Sequence, residues 1–344
     1  MRGCAQDPEW HAEGDVWVHT RLVCESLVAL PAWRALDTRD RSIAFAAALL
    51  HDVAKPACTR TLDGRITSRG HSGRGEVLAR RILYELGADT FAREEVARIV
   101  EVHQVPFFAI DAQDPARVVH RMSQVARPAL VALVAEADAR GRVARDGARL
   151  LDQIELFREL AAEQGCLDAP FELASDHTRF LYFRTPGRNP AHVAYDDTWS
   201  EVVMLSGLPG AGKDTWLARE APGLPVVSLD ALRAALDVDP DEAQGPVVAA
   251  ARDAAKVHLR ARRPFVWNAT NLSRELRAGL VTLFSSYGAR VRVVYLEVPF
   301  EEQRARNRGR VRPVPDDAIE RMLARWQVPD RTEAHEVSWN GTKR

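Results

Sequence analysis

The stretch EVVMLSGLPGAGKDTWLAREA, residues 201–221, constrains this chain more than any other. A short apolar run ends on Gly207, a glycine-rich turn follows, and Lys213 opens a helical stretch. The spacing Gly207, four residues, Gly212, Lys213 is that of a phosphate-binding loop, except that Asp214 stands where a Ser or Thr is usual. Backbone N–H groups at such a strand-to-helix turn point at phosphate oxygens, and the helix dipole adds to the attraction. Gly207, Gly210 and Gly212 let the backbone approach without a Cβ. Lys213 reaches the terminal phosphates of a nucleoside triphosphate, ATP or GTP. Magnesium, a hard cation, accepts carboxylate oxygen, so Asp214 either holds Mg2+ or only complements the helix dipole. Thr215 supplies a hydroxyl one position later, toward a donor phosphate.

Short apolar runs at 225–230, 263–270 and 290–299 alternate with amphipathic helical stretches after this loop. That alternation predicts an α/β domain with a parallel sheet. The first half has a different texture. Residues 41–55, 93–103, 115–142 and 148–165 carry apolar residues at helical spacing, and RTLDGRITS (60–68) predicts a hairpin turning at Asp63-Gly64. The expected organisation is multidomain: an all-α domain over 1–170, a linker over 171–200 rich in Pro, Gly and Asn, and the α/β domain over 201–344. The four cysteines form no CxxC pair, no apolar run reaches the length of a membrane span, and the N-terminus lacks a signal-peptide core. These features predict a reduced, cytoplasmic protein with no membrane partner. A net charge of −1 gives no whole-chain field toward nucleic acid and leaves only local basic patches for that role.

In the second half, VVSLDALR (226–233) places Asp230 at the carboxyl end of a strand and Arg233 one helical turn on. Ligands bind at such strand ends in open α/β sheets. An Asp there can act as general base, or as a plain helix cap, and the Arg can fork onto a phosphate. EEQRARNRGRVRPVP (301–315) carries Arg304, Arg306, Arg308, Arg310 and Arg312, and either is a solvated face or closes over a nucleotide. GLPGAGKDTW, SLDALR, NATNLSRELR and RARNRGRVRPVP together resemble, in order, the phage-type 5′-hydroxyl polynucleotide kinases over residues 201–330. The resemblance implies that Lys213 binds donor phosphates, Asp230 activates the 5′-hydroxyl, Arg233 holds the neighbouring phosphate, and Arg306 with Arg310 forms the lid over the NTP. Asp214 and Ala269 depart from the family pattern.

In the first half, His19, His51-Asp52, His71, His103 and Asp138 are types that ligate divalent transition metals, and a helical bundle can bring distant side chains together. Lys55 follows the His-Asp pair by one turn, and Arg140 and Arg142 follow Asp138. Solvation and phosphate binding are both open to these cations. FAAALLHDVAK, RGHSGRG, IVEVH and EADARGR resemble the HD-superfamily metal-dependent phosphohydrolases over residues 15–160. That resemblance implies one or two ions of Mn, Co, Ni, Zn or Fe. His19, His51, Asp52 and Asp138 would hold the first, and His71 and His103 a second ion or the phosphate, with Asp52 bridging. Lys55 and Arg140 would meet the substrate phosphate.

The fusion resembles the bacterial HD-Pnk end-healing proteins. It implies phosphorylation of 5′-hydroxyl ends and removal of 2′,3′-cyclic, 2′- or 3′-phosphate from 3′ ends of RNA or DNA. A separate RNA ligase would use the products, and a homodimer is left open. Two other readings remain at this point: a small-molecule kinase fused to a nucleotide phosphohydrolase, and a regulatory NTP-binding module with an HD sensor.

Overall fold

The computed structural model describes residues 1–144, 147–238 and 244–341. The chain divides into two compact units, Met1–Glu172 and Leu173–Arg344.

The first unit is helical apart from the hairpin β1 (Arg60–Leu62) and β2 (Arg65–Thr67), which turns at Asp63 and Gly64, both at positive φ, as expected. Short acidic side chains start its helices. Asp15 caps Val16–Ala29, Asp37 caps Thr38–Leu50, and Asp89 caps Thr90–Val102 by accepting from N–H groups in the first turn. Two helices differ from expectation. The periodic stretch 115–142 is split into Pro115–Ser123 and Pro128–Gly141, because Arg127, the residue before a proline, adopts an extended backbone (ψ 115°). The helix expected over 41–55 ends at Leu50, so the His51-Asp52 pair sits at its C-terminal turn rather than inside it.

The core is built from Val23, Leu27, Ala44, Ala47, Ala48, Val131 and Val134, among others. Small residues there let helices come close. A Cβ on Gly141 would lie 2.8 Å from both Cγ2 and N of Val23, so glycine alone permits this crossing of Pro128–Gly141 with Val16–Ala29. A Cβ on Gly75 would meet Val100 Cγ1 at 3.0 Å, where His71–Glu85 crosses Thr90–Val102. Each crossing lies within about one helical turn of two of the candidate ligands, His19 with Asp138 and His71 with His103.

Among the described residues the second unit holds a five-stranded, fully parallel sheet: β3 (Glu201–Ser206), β4 (Val226–Ser228), β5 (Phe265–Asn268), β6 (Arg290–Leu296) and β7 (Glu336–Asn340), in the order β4-β5-β3-β6-β7. Val202 pairs with Phe265 on one side and Val291 on the other, which makes β3 the central strand. The strand is buried along Val202–Ser206, as a parallel strand covered on both faces must be.

The expected linker over 171–200 is corrected by the helix Asp176–Arg184, capped by Ser175. Its Phe180 joins Met204, Trp267, Phe284 and Val291 in the core, so apolar burial overrides the Pro/Gly texture of its neighbours.

Arg277, fully buried, forks onto Glu333 (2.7 and 2.9 Å) and donates to the carbonyls of Asn271 and Gln327 (2.9 and 2.7 Å). Removing one member of a buried pair leaves a charge without its partner. Arg277→Ala is therefore expected to destabilise the second unit by about 3–5 kcal/mol, read as a lower urea midpoint of its transition.

Candidate active sites

In the first unit the six expected ligands converge. His19 Nε2 lies 3.3 Å from His51 Nε2 and 3.1 Å from Asp138 Oδ1. Asp52 Oδ2 lies 3.2 Å from His51 Nε2, and its Oδ1 lies 3.3 Å from His71 Nε2. His103 completes a second group with Asp52 and His71. All six side chains are buried.

The backbone fixes the tautomers. His51, His71 and His103 each place Nδ1 2.7–2.8 Å from the carbonyl three residues earlier, at Ala48, Ser68 and Val100. Nδ1–H is therefore the donor, and Nε2 turns its lone pair into the cluster. Asp52 Oδ1 and His103 Nε2 are buried there without a hydrogen-bond partner. Neighbouring ligands about 2.1 Å from a shared ion stand about 3.0–3.4 Å apart. The spacings, the tautomers and the orphaned atoms all fit divalent transition metals. Asp52 belongs to both groups.

Charge around the cluster is balanced by its neighbours. Burial alone would raise the Asp52 and Asp138 carboxyls. Contacts with His51 and Lys55 hold Asp52, and Arg142 and His19 hold Asp138, well below the usual carboxylate range. Burial lowers His19, but contacts with Asp138 and Glu13 carry it up to about 9. Burial pushes His103 down to about 3. Lys55 Nζ sits 2.7 Å from Asp52 Oδ2 and donates to Gln6 at 2.7 Å.

Arg140 is a correction: its guanidinium pairs with Glu136 on the helix surface. Arg142, two residues on at the helix C-cap, instead grips Asp138 with two hydrogen bonds of 2.9 and 2.6 Å and lines the adjoining cavity. The sequence reading also missed Glu13, whose Oε1 lies 2.8 Å from His11 Nδ1 and 2.8 Å from His19 Nδ1. A carboxylate behind a metal-ligating His orients the ring and raises its basicity. The His11-x-Glu13 spacing just before His19 was the available signal.

If these groups bind ions, the folded form is stabilised by mass action. Mn2+ at about 100 times its Kd is expected to add about 2.7 kcal/mol to metal-stripped protein, seen as a rise in Tm that is absent in His51→Ala.

In the second unit the loop stands at the carboxyl end of β3. Gly207, Gly210 and Gly212 have φ of 153°, 85° and 92°. A Cβ on Gly207 would lie 2.4 Å from the Leu296 carbonyl, and one on Gly210 would lie 3.0 Å from the Gln303 carbonyl. Gln303 Nε2 donates to the Pro209 carbonyl (2.7 Å), so the helix Phe300–Arg308 braces the loop. Lys213 Nζ donates to the carbonyls of Gly207 and Leu208 (2.9 and 3.0 Å). Asp214, in the first turn of Lys213–Glu220, accepts from Asn268 Nδ2 at 3.0 Å. Thr215 is exposed on the next position of that turn.

Asp230 follows β4 in the first turn of the helix Leu229–Ala235. Arg233 donates to its Oδ1 at 2.6 Å, and Arg310 lies 3.6 Å from its Oδ2. Arg306 pairs with Glu302 and brings NH1 to 3.3 Å from where a Gly212 Cβ would be. Arg304 instead pairs with Asp316 and Glu320. Asn307 fastens the following segment by exchanging two hydrogen bonds with the Val314 backbone.

Burial lowers Lys213 to about 8 against the opposing charges of Asp230 and Asp214, which leaves it cationic at neutral pH. Bound phosphates favour the charged form, so affinity is lost as pH rises through the free-protein value. NTP affinity is expected to fall by close to tenfold per pH unit above that value, about tenfold between pH 8.5 and 9.5. Titration with a fluorescent NTP analogue checks this, and Lys213→Arg should flatten the slope.

Residues 16–141 match the family model described as HD domain, and residues 202–329 match that described as AAA domain. No curated protein matches the chain. A solved structure of a candidate kinase from Chloroflexus aurantiacus is similar at 14% identity and a TM-score of 0.34, covering 42% of this chain and 85% of that one. Among the described residues no helix is long and apolar enough to cross a membrane. The chain thus carries an N-terminal stretch that matches an HD domain and holds a His/Asp site of metal-ligand type, followed by a stretch that matches an AAA domain and holds a glycine-rich phosphate-loop motif.

Proposed function

We propose that the chain heals both ends of a broken nucleic acid, RNA by preference: it phosphorylates a 5′-hydroxyl and clears a 2′,3′-cyclic, 2′- or 3′-phosphate. The observation that carries this reading is the setting of Asp230. Its side chain is 71% exposed, and Arg233 and Arg310 stand on either side of it. Two guanidiniums beside an open carboxylate suit an acceptor that brings its own phosphodiester, rather than a neutral nucleoside enclosed in a pocket.

In the kinase step Asp230 takes the proton of the attacking 5′-hydroxyl as the O5′–Pγ bond forms and the bond from Pγ to the leaving diphosphate breaks. Arg233 leaves Asp230 for the substrate phosphate. Lys213, Arg306 and Arg310 neutralise charge on the transferring group and on the leaving diphosphate. Asp214, held by Asn268, would take the magnesium-facing position of the usual hydroxyl.

In the hydrolytic step His19, His51, Asp52 and Asp138 would hold one ion and Asp52, His71 and His103 another. Bound metals supply Lewis acidity and a lowered water pKa. Lys55 and Arg142 present positive charge to the substrate phosphate beside them. The resulting 3′-hydroxyl and 5′-phosphate are the ends that an RNA ligase joins.

The test uses one oligoribonucleotide with a 5′-hydroxyl and a 2′,3′-cyclic phosphate, NTP and a panel of divalent metals, each end being resolved separately. Both ends are expected to change. Phosphorylation of mononucleosides with none on oligonucleotides would overturn the reading, as would NTP binding without labelled product.

A further inference from the structure

A cavity of about 490 Å3 opens beside the His/Asp cluster of the first unit. His71, Lys55 and Arg142 line it, and these carry the cluster's imidazole and its two cations. The same cavity is lined by Trp10 and Phe108, which are 46% and 62% exposed, and by Arg69, which is exposed. The neighbouring Phe107, by contrast, is buried, with the Arg142 guanidinium 5.0 Å from its ring centre. The chain thus spends one phenylalanine on the core and leaves the next one open in the cavity.

A phosphate needs only the metals and the cations. It makes no use of an indole and a phenyl ring exposed in the same cavity. Exposed aromatic rings in a cleft are what a flat, π-bearing group requires, and the volume lies within the range of small-ligand sites. We infer that Trp10 and Phe108 form the base-binding subsite of the phosphohydrolase domain. They would stack on the nucleobase of the terminal nucleotide while its phosphate meets Lys55, Arg142 and the metals. Arg69, exposed and lining the same cavity, would then meet the preceding phosphodiester. This deepens the end-healing reading by assigning the substrate of that site: a nucleoside phosphate, recognised through its base without hydrogen-bond readout and so tolerant of sequence.

The test is a comparison of binding by the full chain loaded with Mn2+. A nucleoside 3′-monophosphate and the base-free 1-O-methylriboside 3-phosphate are titrated by calorimetry, so that turnover is not needed for a result. The wild type is expected to prefer the base-bearing compound by between about 5- and 150-fold, the worth of one base–aromatic stack. Trp10→Ala and Phe108→Ala should each shrink that ratio, and the double variant should bring it close to one. Trp10→Phe should keep most of it. Quenching of indole fluorescence by the nucleotide, lost in Trp10→Phe, is a second readout.

A wild-type ratio near one would overturn the inference. So would an unchanged ratio in the double variant, or an equal loss of affinity for both compounds. These outcomes are separate from failure of the end-healing reading. In that case the base-bearing compound would still bind better, but the oligonucleotide's 3′ end would stay unprocessed.

Discussion

Asp52→Ala is expected to lower turnover of a terminal 2′,3′-cyclic phosphate on the order of a thousandfold while 5′ phosphorylation stays within about twofold of wild type. Asp52 is the one side chain shared by both ligand groups that lie around it. Its Oδ2 faces His51 and Lys55, and its Oδ1 faces His71. Truncation removes a ligand from each group at once and leaves the Lys55 ammonium without its carboxylate partner. Asp52→Asn, which keeps the shape and drops the charge, should lose nearly as much if charge is what matters. The second unit is a separate compact body with its own sheet and core, so unchanged 5′ phosphorylation would show that the effect is confined to the first unit, whose folding is checked by its own thermal transition. Cyclic-phosphate turnover near the wild-type rate, or the loss of both activities from a folded protein, would contradict the assignment.

Asp230→Ala is expected to reduce 5′ phosphorylation by about 10²–10⁴-fold, the usual worth of a positioned general base, with little change in NTP affinity. The loop that would grip the triphosphate is made by glycines, by Lys213 and by the brace from Gln303, none of which hydrogen-bonds Asp230. The variant frees Arg233 from its 2.6 Å contact, so binding of the acceptor phosphate should be kept or tightened while kcat collapses. Single-turnover labelling at saturating NTP separates the two effects. A variant that lost NTP affinity and turnover together would place Asp230 in the donor site instead.

The features legible in the sequence were those written in contiguous residues. The loop 207–215, its feeding strand and the next three strands follow from short apolar runs, which the buried strands β3 and β5 carry most completely. The His/Asp ligands were legible as residue types, but nothing local in them fixes their convergence. That depends on Gly141 and Gly75 permitting two helix crossings.

The missed features share the same cause. β7 is half-exposed at the sheet edge and shows no apolar run. The helix Asp176–Arg184 was hidden between Pro- and Gly-bearing segments and declares itself through Phe180 packing on a distant sheet. Arg140 and Arg142 are two residues apart, yet only Arg142, at the end of the helix, turns toward Asp138. Arg277 read as part of a family-like motif and proves to be a buried clamp on Glu333.

The carbonyls of Ala48, Ser68 and Val100 hold three imidazoles in their working orientation before any ion arrives. The rotational freedom of those rings is therefore given up during folding and not during loading. An entering ion meets a finished cage, so its capture should be limited by shedding water in the cavity lined by His71, with no rearrangement of the chain. Choice among metals then falls to cage size and donor hardness, which a rigid scaffold cannot adjust to suit whichever ion is most abundant.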